Sequence, residues 1–530
     1  MRILLIHPSA GTSDPATVIH RPDLVTASDE VVAEAIEELR PDAVVRPEGD
    51  VDAALAAAER DFADRMPIPA GTQGNSVAMV GAGIVNLVSA LTLVRAGYQV
   101  DVYERSPDPR ADADWTVYGC TRGGGDGRMF TLTEADSYNS RSWPGNDLLT
   151  RPVTDHGWLV AKPGALSARE LAWANDFHRI PAWLADSYTQ DIFDTNRAAG
   201  QGWERLMASD PGLFDGYRDG ILRLYTDDDY FQWHVDRNNR LGATRNVLTP
   251  HQVRAAYPAL ADAPVAGGLE VVGFTVNIHR FMARLVDLLV AEGVRFQWDT
   301  AVTGIRWAGT TPDGLLTDGG TIKADHYVLS PGAYGEELLR GTASHGQIMG
   351  MLGVWLTVPN VEPRLDHSVK IARKGHRAEE TNVTLGTGPD GAPILICGAG
   401  YGWTGTDPAA IDQAELETLF EALADTIRRF FPKAYAAARE AGTLAASRRI
   451  CVRPWTASCL GVFETMVTAS GGTLVVTGGH NTGGFTQSPD VADAVLAALR
   501  GRRHRMHTRF HPARLDRFYS ADTVSLRITS

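Results

Sequence analysis

Between residues 76 and 104 the apolar positions change their period twice. A continuous apolar run ending at Gly81 predicts a buried strand, a tight turn carries Gly81 and Gly83, and an apolar pattern of helical period continues to Ala96. Gly97 stops that helix, and a second strand ends in the acidic Glu104. Strand, glycine turn, helix and strand, with an acid about 20 residues beyond the turn, is the layout of a dinucleotide-binding βαβ unit. Gly81 permits the turn, and Gly83 lets the backbone approach a pyrophosphate. The helix N-terminus offers unpaired N–H groups to that anion, and Glu104 stands where an adenosine ribose would lie. Asn86 occupies the place where a third glycine usually permits close helix–strand packing, so a slightly displaced helix with a locally bonded amide is expected.

The same patterning divides the rest of the chain. Residues 2–6 read as a strand, 28–40 as a helix, 43–46 as a strand and 51–64 as an alanine-rich helix. Pro67, Pro69, Gly71 and Gly74 then form a linker, so residues 1–75 make a small α/β appendage that packs on the main body or on a partner subunit. Residues 76–150 hold the dinucleotide unit and a second glycine-rich loop. Residues 151–245, with helical stretches at 167–177 and 180–205, read as an insertion covering the site. Residues 246–345 return to α/β patterning, with a helix at 280–293 and strands at 295–299, 302–307 and 325–330. Residues 346–460 are sheet-forming with one clear helix at 412–430. Residues 461–530 bring a closing strand, the Gly478–Gly484 loop, a helix at 489–499 and a basic tail at Arg500–Arg505 that suits a helix C-terminus. The fold class is α/β with a mixed-sheet second domain.

At 530 residues the chain is long enough for two domains, or for one large domain with an inserted layer. Its 44% hydrophobic and 22% charged content is ordinary for a globular protein, and a net charge of −14 argues against nucleic acid as a partner. Four cysteines are too few for a disulfide framework and lack zinc-ligand spacing, so no metal is expected. No stretch approaches a membrane span and the apolar run at the start is too short for a signal peptide, so a cytoplasmic location is expected.

Several separated segments together resemble the D-amino-acid oxidase and dehydrogenase superfamily of FAD enzymes, which includes glycine and sarcosine oxidases. They are the Gly81–Glu104 unit, the Thr121-Arg122-Gly123-Gly124-Gly125 loop, residues 248–258 and 291–296, residues 324–333, Arg453-Pro454-Trp455-Thr456, and the Gly478–Gly484 loop. The resemblance covers roughly residues 76–500 in order and implies a Rossmann-like FAD domain of the glutathione-reductase type with a substrate domain. It assigns cofactor contacts to Gly81, Gly83, Asn86, Glu104, Arg105, Arg122, Gly123, Gly124, Gly479, Asn481, Thr482 and Gly483. Backbone N–H groups of the terminal loop would stabilise an anionic reduced ring. The resemblance implies C–N oxidation of an amino acid or carboxylated amine, with O2 or another acceptor taking the electrons.

Such a site needs a cation for the substrate carboxylate, and Arg453 and Arg128 are the candidates. Arg128 sits in a polar stretch with Asp126, Thr131, Thr133, Glu134, Tyr138 and Asn139, which suits a polar substrate. His480 is a candidate for adjusting protonation beside the ring. Cys451 falls where the sarcosine-oxidase branch links its flavin, but a small buried cysteine is the expected role, with FAD held without a covalent bond. The second reading is a flavin N-monooxygenase that takes electrons from external NAD(P)H, and a third is a flavin-binding assembly protein using the appendage. Homo-oligomerisation stays open.

Overall fold

The computed structural model describes residues 1–11, 18–108, 110–111, 129–135, 159–388 and 390–516. The glycine turn organises a six-stranded sheet in the order Arg295–Gln297, Gln99–Tyr103, Ser76–Val80, His326–Leu329, Thr473–Gly478 and Val462–Val467. The first five strands run parallel and Val462–Val467 runs antiparallel at one edge. Parallel strands are buried on both faces, which is why these read as unbroken apolar runs. Helices Ile84–Arg95 and Gly484–Leu499 pack together on one face, with Leu87, Leu91, Val491 and Val495 in their shared core. On the other face Ala78, Val80, Tyr327 and Leu474 meet Ile305 and Leu315 of a small sheet formed by Val302–Ala308, Thr311–Thr317 and Gly320–Ile322.

A ten-stranded sheet forms the second layer. Its main path runs Arg449–Thr456, Ile348–Pro359, Pro393–Gly405, Glu380–Thr387, Val369–Ala372, Arg218–Tyr225, Gly267–Thr275 and Met129–Thr131. Alternate residues of a strand point to opposite faces. Here Leu222, Leu224, Val369, Ile371, Val383, Leu352 and Val354 share one apolar face, packed on Leu419, Leu423 and Ile427 of helix Gln413–Phe430. The intervening positions place Arg223, Lys370, Glu380, Asn382 and Arg453 on the opposite face.

The stretch read as an insertion at 151–245 divides. Helices Ala168–Arg179 and Ala182–Ser209 do stand outside the sheets, but Arg218–Tyr225 is an interior strand of the large sheet. The last helix begins at Gly484 and not at 489. Pro489 lies inside it, where its missing N–H removes a ladder bond without ending the helix.

The appendage is three parallel strands in the order Val18–His20, Ile3–Leu5, Ala43–Val45, the first of which the pattern did not reveal. Helix Asp29–Leu39 covers one face and helix Val51–Asp64 docks on the main body, where Val51 and Leu55 enter the principal core. An ion cluster locks this contact. Arg514 pairs with Glu59 at 2.7 Å and with Asp191 at 2.8 Å, and all three side chains are at most 2% exposed. Arg509 joins Asp191 at 3.2 Å to Asp64 at 3.0 Å, and Arg60 reaches Asp191 at 3.3 Å. The basic tail takes part directly and does not simply complement a helix end. Arg505 pairs with Asp490 at 2.8 Å, and Arg503 donates to the Asp64 carbonyl at 2.6 Å.

Candidate functional site

Gly81 has φ +94°, and a Cβ there would stand 2.5 Å from the Ser330 carbonyl, so only glycine fits. Gly83 is different. It caps helix Ile84–Arg95 with φ −74° and ψ 165°, and a Cβ there would meet nothing within 4 Å. Asn86 behaves as its local bonding requires: its Nδ2 donates to the Val80 and Gly81 carbonyls at 2.7 and 2.8 Å. Glu104 accepts from the Ala82 N–H at 2.7 Å and the Ser106 N–H at 2.9 Å, which aims its carboxylate across the mouth of the turn. A carboxylate accepts more than two bonds, so both oxygens retain capacity for hydroxyl donors. Arg105, just beyond, places its guanidinium 4.0 Å from the centre of the Tyr334 ring.

The second cofactor segment is the loop before helix Gly484–Leu499. Gly479 is left-handed at φ +67°, and a Cβ there would strike Thr456 at 2.6 Å. Asn481 stitches the loop to strand Arg449–Thr456, accepting from the Thr456 N–H at 3.2 Å and donating to the Cys459 carbonyl at 3.1 Å. A Cβ on Gly483 would meet Ala135 at 2.6 Å, so the stretch 129–135 abuts this loop directly. His480 is buried between Thr477 Oγ1 at 3.2 Å and Gln487 Oε1 at 3.0 Å. Burial pushes its ring down to about 4, against a smaller opposing effect of Gln487, so it is neutral at pH 7.

Several helices close their N-termini with a side chain, among them Asp50, Ser167, Asp227, Thr249, Asn277 and Asp412. The two glycine-started helices at this site do not. Their uncapped N–H groups, the open volume above Gly83, and the buried, unpartnered Asn86 Oδ1 and Thr482 Oγ1 form a cradle for a polyanionic cofactor. These residues fit FAD. Gly81, Gly83 and Glu104 would hold its adenosine and pyrophosphate half, and Thr482 and Gly483 would face its far end.

The large sheet brings its polar face to the same place. Trp455 bridges to His480, and Arg453 lies two residues before it on the same strand. Arg453 is 5% exposed; its Nη2 donates to the Leu352 and Gly400 carbonyls and its Nε to that of Met351. Thr131, Thr133 and Glu134, singled out in the sequence, meet residues that the sequence did not flag. Arg223 donates to Thr133 at 2.8 Å and to Thr131 at 3.2 Å, while Lys370 lies 3.8 Å from Glu134 and 3.2 Å from Glu380. Cys451 sits in a small apolar cluster with Trp355 and Ile396. Arg122, Gly123, Gly124, Asp126, Arg128, Tyr138 and Asn139 lie outside the described residues.

The family profile described as FAD dependent oxidoreductase matches residues 76–498. A D-amino acid dehydrogenase of Methylobacterium radiotolerans is 28% identical over 302 residues, 53% of this chain and 67% of that protein, so the match spans about two thirds of that relative's length. Among solved structures, glycine oxidase from Bacillus cereus has a TM-score of 0.56 at 14% identity, covering 82% of this chain and 96% of that one. Glycine oxidase from Geobacillus kaustophilus has a TM-score of 0.54 at 17% identity, covering 81% and 96%.

Proposed function

The chain belongs to the DAO family of FAD-dependent oxidoreductases, and from that premise we propose that it oxidises the C–N bond of an amino acid or a related carboxylated amine. The observation that carries the reading is Arg453, a buried guanidinium on the strand that bridges to the cofactor loop. A charge-assisted hydrogen bond from a buried guanidinium to a carboxylate is strong, because little solvent screens it. The names of the similar proteins, a D-amino acid dehydrogenase and two glycine oxidases, support the same substrate class. No monooxygenase is among those three.

FAD, when bound, supplies the two-electron acceptor for the substrate. The chain's own residues bind and orient. Arg453 holds the carboxylate and so fixes the substrate carbon at the junction of the large sheet and the loop. His480, neutral at pH 7 and bonded on both ring nitrogens, holds the loop in shape and offers no acid there. Hydrolysis of the resulting imine gives an oxo acid and ammonia, and the electrons pass to O2 or another acceptor. A cytoplasmic location is part of this reading; among the described residues no helix is long and apolar enough to cross a membrane.

The test is anaerobic reduction of the yellow protein by a panel of D- and L-amino acids and glycine, and separately by NADPH. Bleaching by an amino acid with release of ammonia is expected. Bleaching by NADPH alone, with nitrogen retained in the product, would overturn the reading in favour of N-oxygenation. Arg453→Lys should raise KM strongly while FAD content is kept.

A further inference from the structure

Arg105 and Tyr334 meet across the carboxyl ends of three parallel strands. Arg105 follows strand Gln99–Tyr103, and Tyr334 closes the short turn Gly332–Tyr334 that follows strand His326–Leu329. Between those two strands lies Ser76–Val80, the strand that leads into Gly81. Strands separated by one neighbour stand roughly 10 Å apart, so two side chains meet there by leaning toward each other past the end of the middle strand. The guanidinium carbon of Arg105 lies 4.0 Å from the centre of the Tyr334 ring. The contact therefore stands at the mouth of the glycine turn, in the crevice where open α/β sheets take their ligands.

Neither residue is placed as folding alone would place it. Tyr334 is 46% exposed, and no other aromatic side chain among the described residues is more exposed. Arg105 is exposed too. Acids outnumber bases in this chain by 64 to 50, yet among the described residues no carboxylate forms an ion pair with Arg105. An exposed cation on a ring adds little to folding, so the pair gains its use from what it presents. Glu104, one residue earlier, sends its carboxylate to the Ala82 N–H of the same turn. An acid suited to ribose hydroxyls and a planar cation laid on a ring thus leave one strand end side by side.

We propose that Tyr334 holds the Arg105 guanidinium as a flat wall on which the adenine of FAD stacks, making Tyr334 a positioning residue for the adenosine half of the cofactor. The inference rests on the reading of Gly81, Gly83 and Glu104 as the adenosine and pyrophosphate site. A guanidinium is planar and has two faces; with one on the phenol ring, the other is left for a purine. Held flat in advance, it loses less freedom when the base arrives. Lysine keeps the charge at this position and has no plane to offer.

The test uses flavin-free full-length protein, with ADP and UDP as probes titrated by calorimetry. The wild type should prefer ADP, because a purine offers the larger face for stacking. Tyr334→Leu and Arg105→Lys should each raise the ADP Kd by about tenfold, the scale of one lost base-stacking contact, and should change the UDP Kd much less. Tyr334→Phe, which keeps the ring, should bind ADP as the wild type does, and the flavin-free melting temperature should stay unchanged in all three. Wild-type ADP affinity in Tyr334→Leu and Arg105→Lys, with a raised Kd in Glu104→Ala, would overturn the wall and leave the nucleotide site standing. Wild-type ADP affinity in Glu104→Ala, or no ADP binding by the wild type, would overturn the site and the wall with it. Equal weakening of ADP and UDP, or a lowered melting temperature in Tyr334→Leu, would also overturn the wall, by showing that the pair supports the loop and not the base.

Discussion

Replacing Gly83 with alanine separates what the protein needs from what the cofactor needs. The residue has φ −74° and ψ 165°, which alanine adopts without strain, and the added Cβ meets no atom within 4 Å. Alanine narrows the unfolded ensemble by about 0.4–1 kcal/mol, and a helix N-cap prefers glycine over alanine by a comparable amount, so flavin-free stability should change by less than about 1 kcal/mol. The methyl group, however, fills the space through which a pyrophosphate would approach the helix N–H groups. Losing one or two charge-assisted bonds costs about 2–5 kcal/mol, which weakens FAD binding by roughly 30-fold to several thousand-fold. Thermal unfolding of flavin-free protein and titration with FAD, followed by quenching of its fluorescence, measure the two effects separately. Gly81→Ala is the contrasting control, because its φ of +94° and its 2.5 Å approach to Ser330 make it destabilising with or without flavin. Wild-type FAD affinity in Gly83→Ala would refute the placement of the pyrophosphate. A large fall in flavin-free stability would refute the claim that the space is open.

Two further outcomes are expected. Glu59→Leu strands the buried Arg514 guanidinium beside Asp191 alone and should cost about 3–5 kcal/mol in urea unfolding, whereas Glu59→Leu with Arg514→Met should recover much of it; equal losses in both would show that the pair is not the source. Burial, opposed in part by their hydrogen bonds, holds His480 and His507 at about 4, below the 6.5 of an exposed histidine, so the unfolded chain takes up these protons first. Their contribution to stability should be complete above pH 6.5 and should drain away by pH 4, by at most about 3 kcal/mol each. A melting temperature that stays flat from pH 6.5 to 4.5 would contradict this.

The parts of the site that local chemistry dictates were legible in the sequence. Gly81, Gly83 and Glu104 announce their places in the chain because a turn, an N-cap and a strand end are decided within a few residues. The same holds for the appendage helices: Val51–Asp64 has the patterned bounds, and Asp29–Leu39 is one residue shorter at each end than the pattern. Arg223 and Lys370 were not legible. Each is a charged residue flanked by apolar neighbours in a strand, and that alternation ordinarily marks a face turned to water. Here the outward face is covered, and nothing local says so. The Glu59–Arg514 pair was hidden for another reason, since its partners are 455 residues apart and neither sits in a motif.

That separation bears on the order of folding. The appendage is synthesised long before residue 514, so its buried carboxylate waits for its guanidinium until strand Thr473–Gly478, which lies between His326–Leu329 and the edge strand Val462–Val467, has also been made. Closing so long a loop is slow, and the surfaces awaiting it stay exposed meanwhile. This latch thus joins two segments made 455 residues apart, and a nascent chain halted before residue 514 carries an appendage whose Glu59 has no Arg514 to meet.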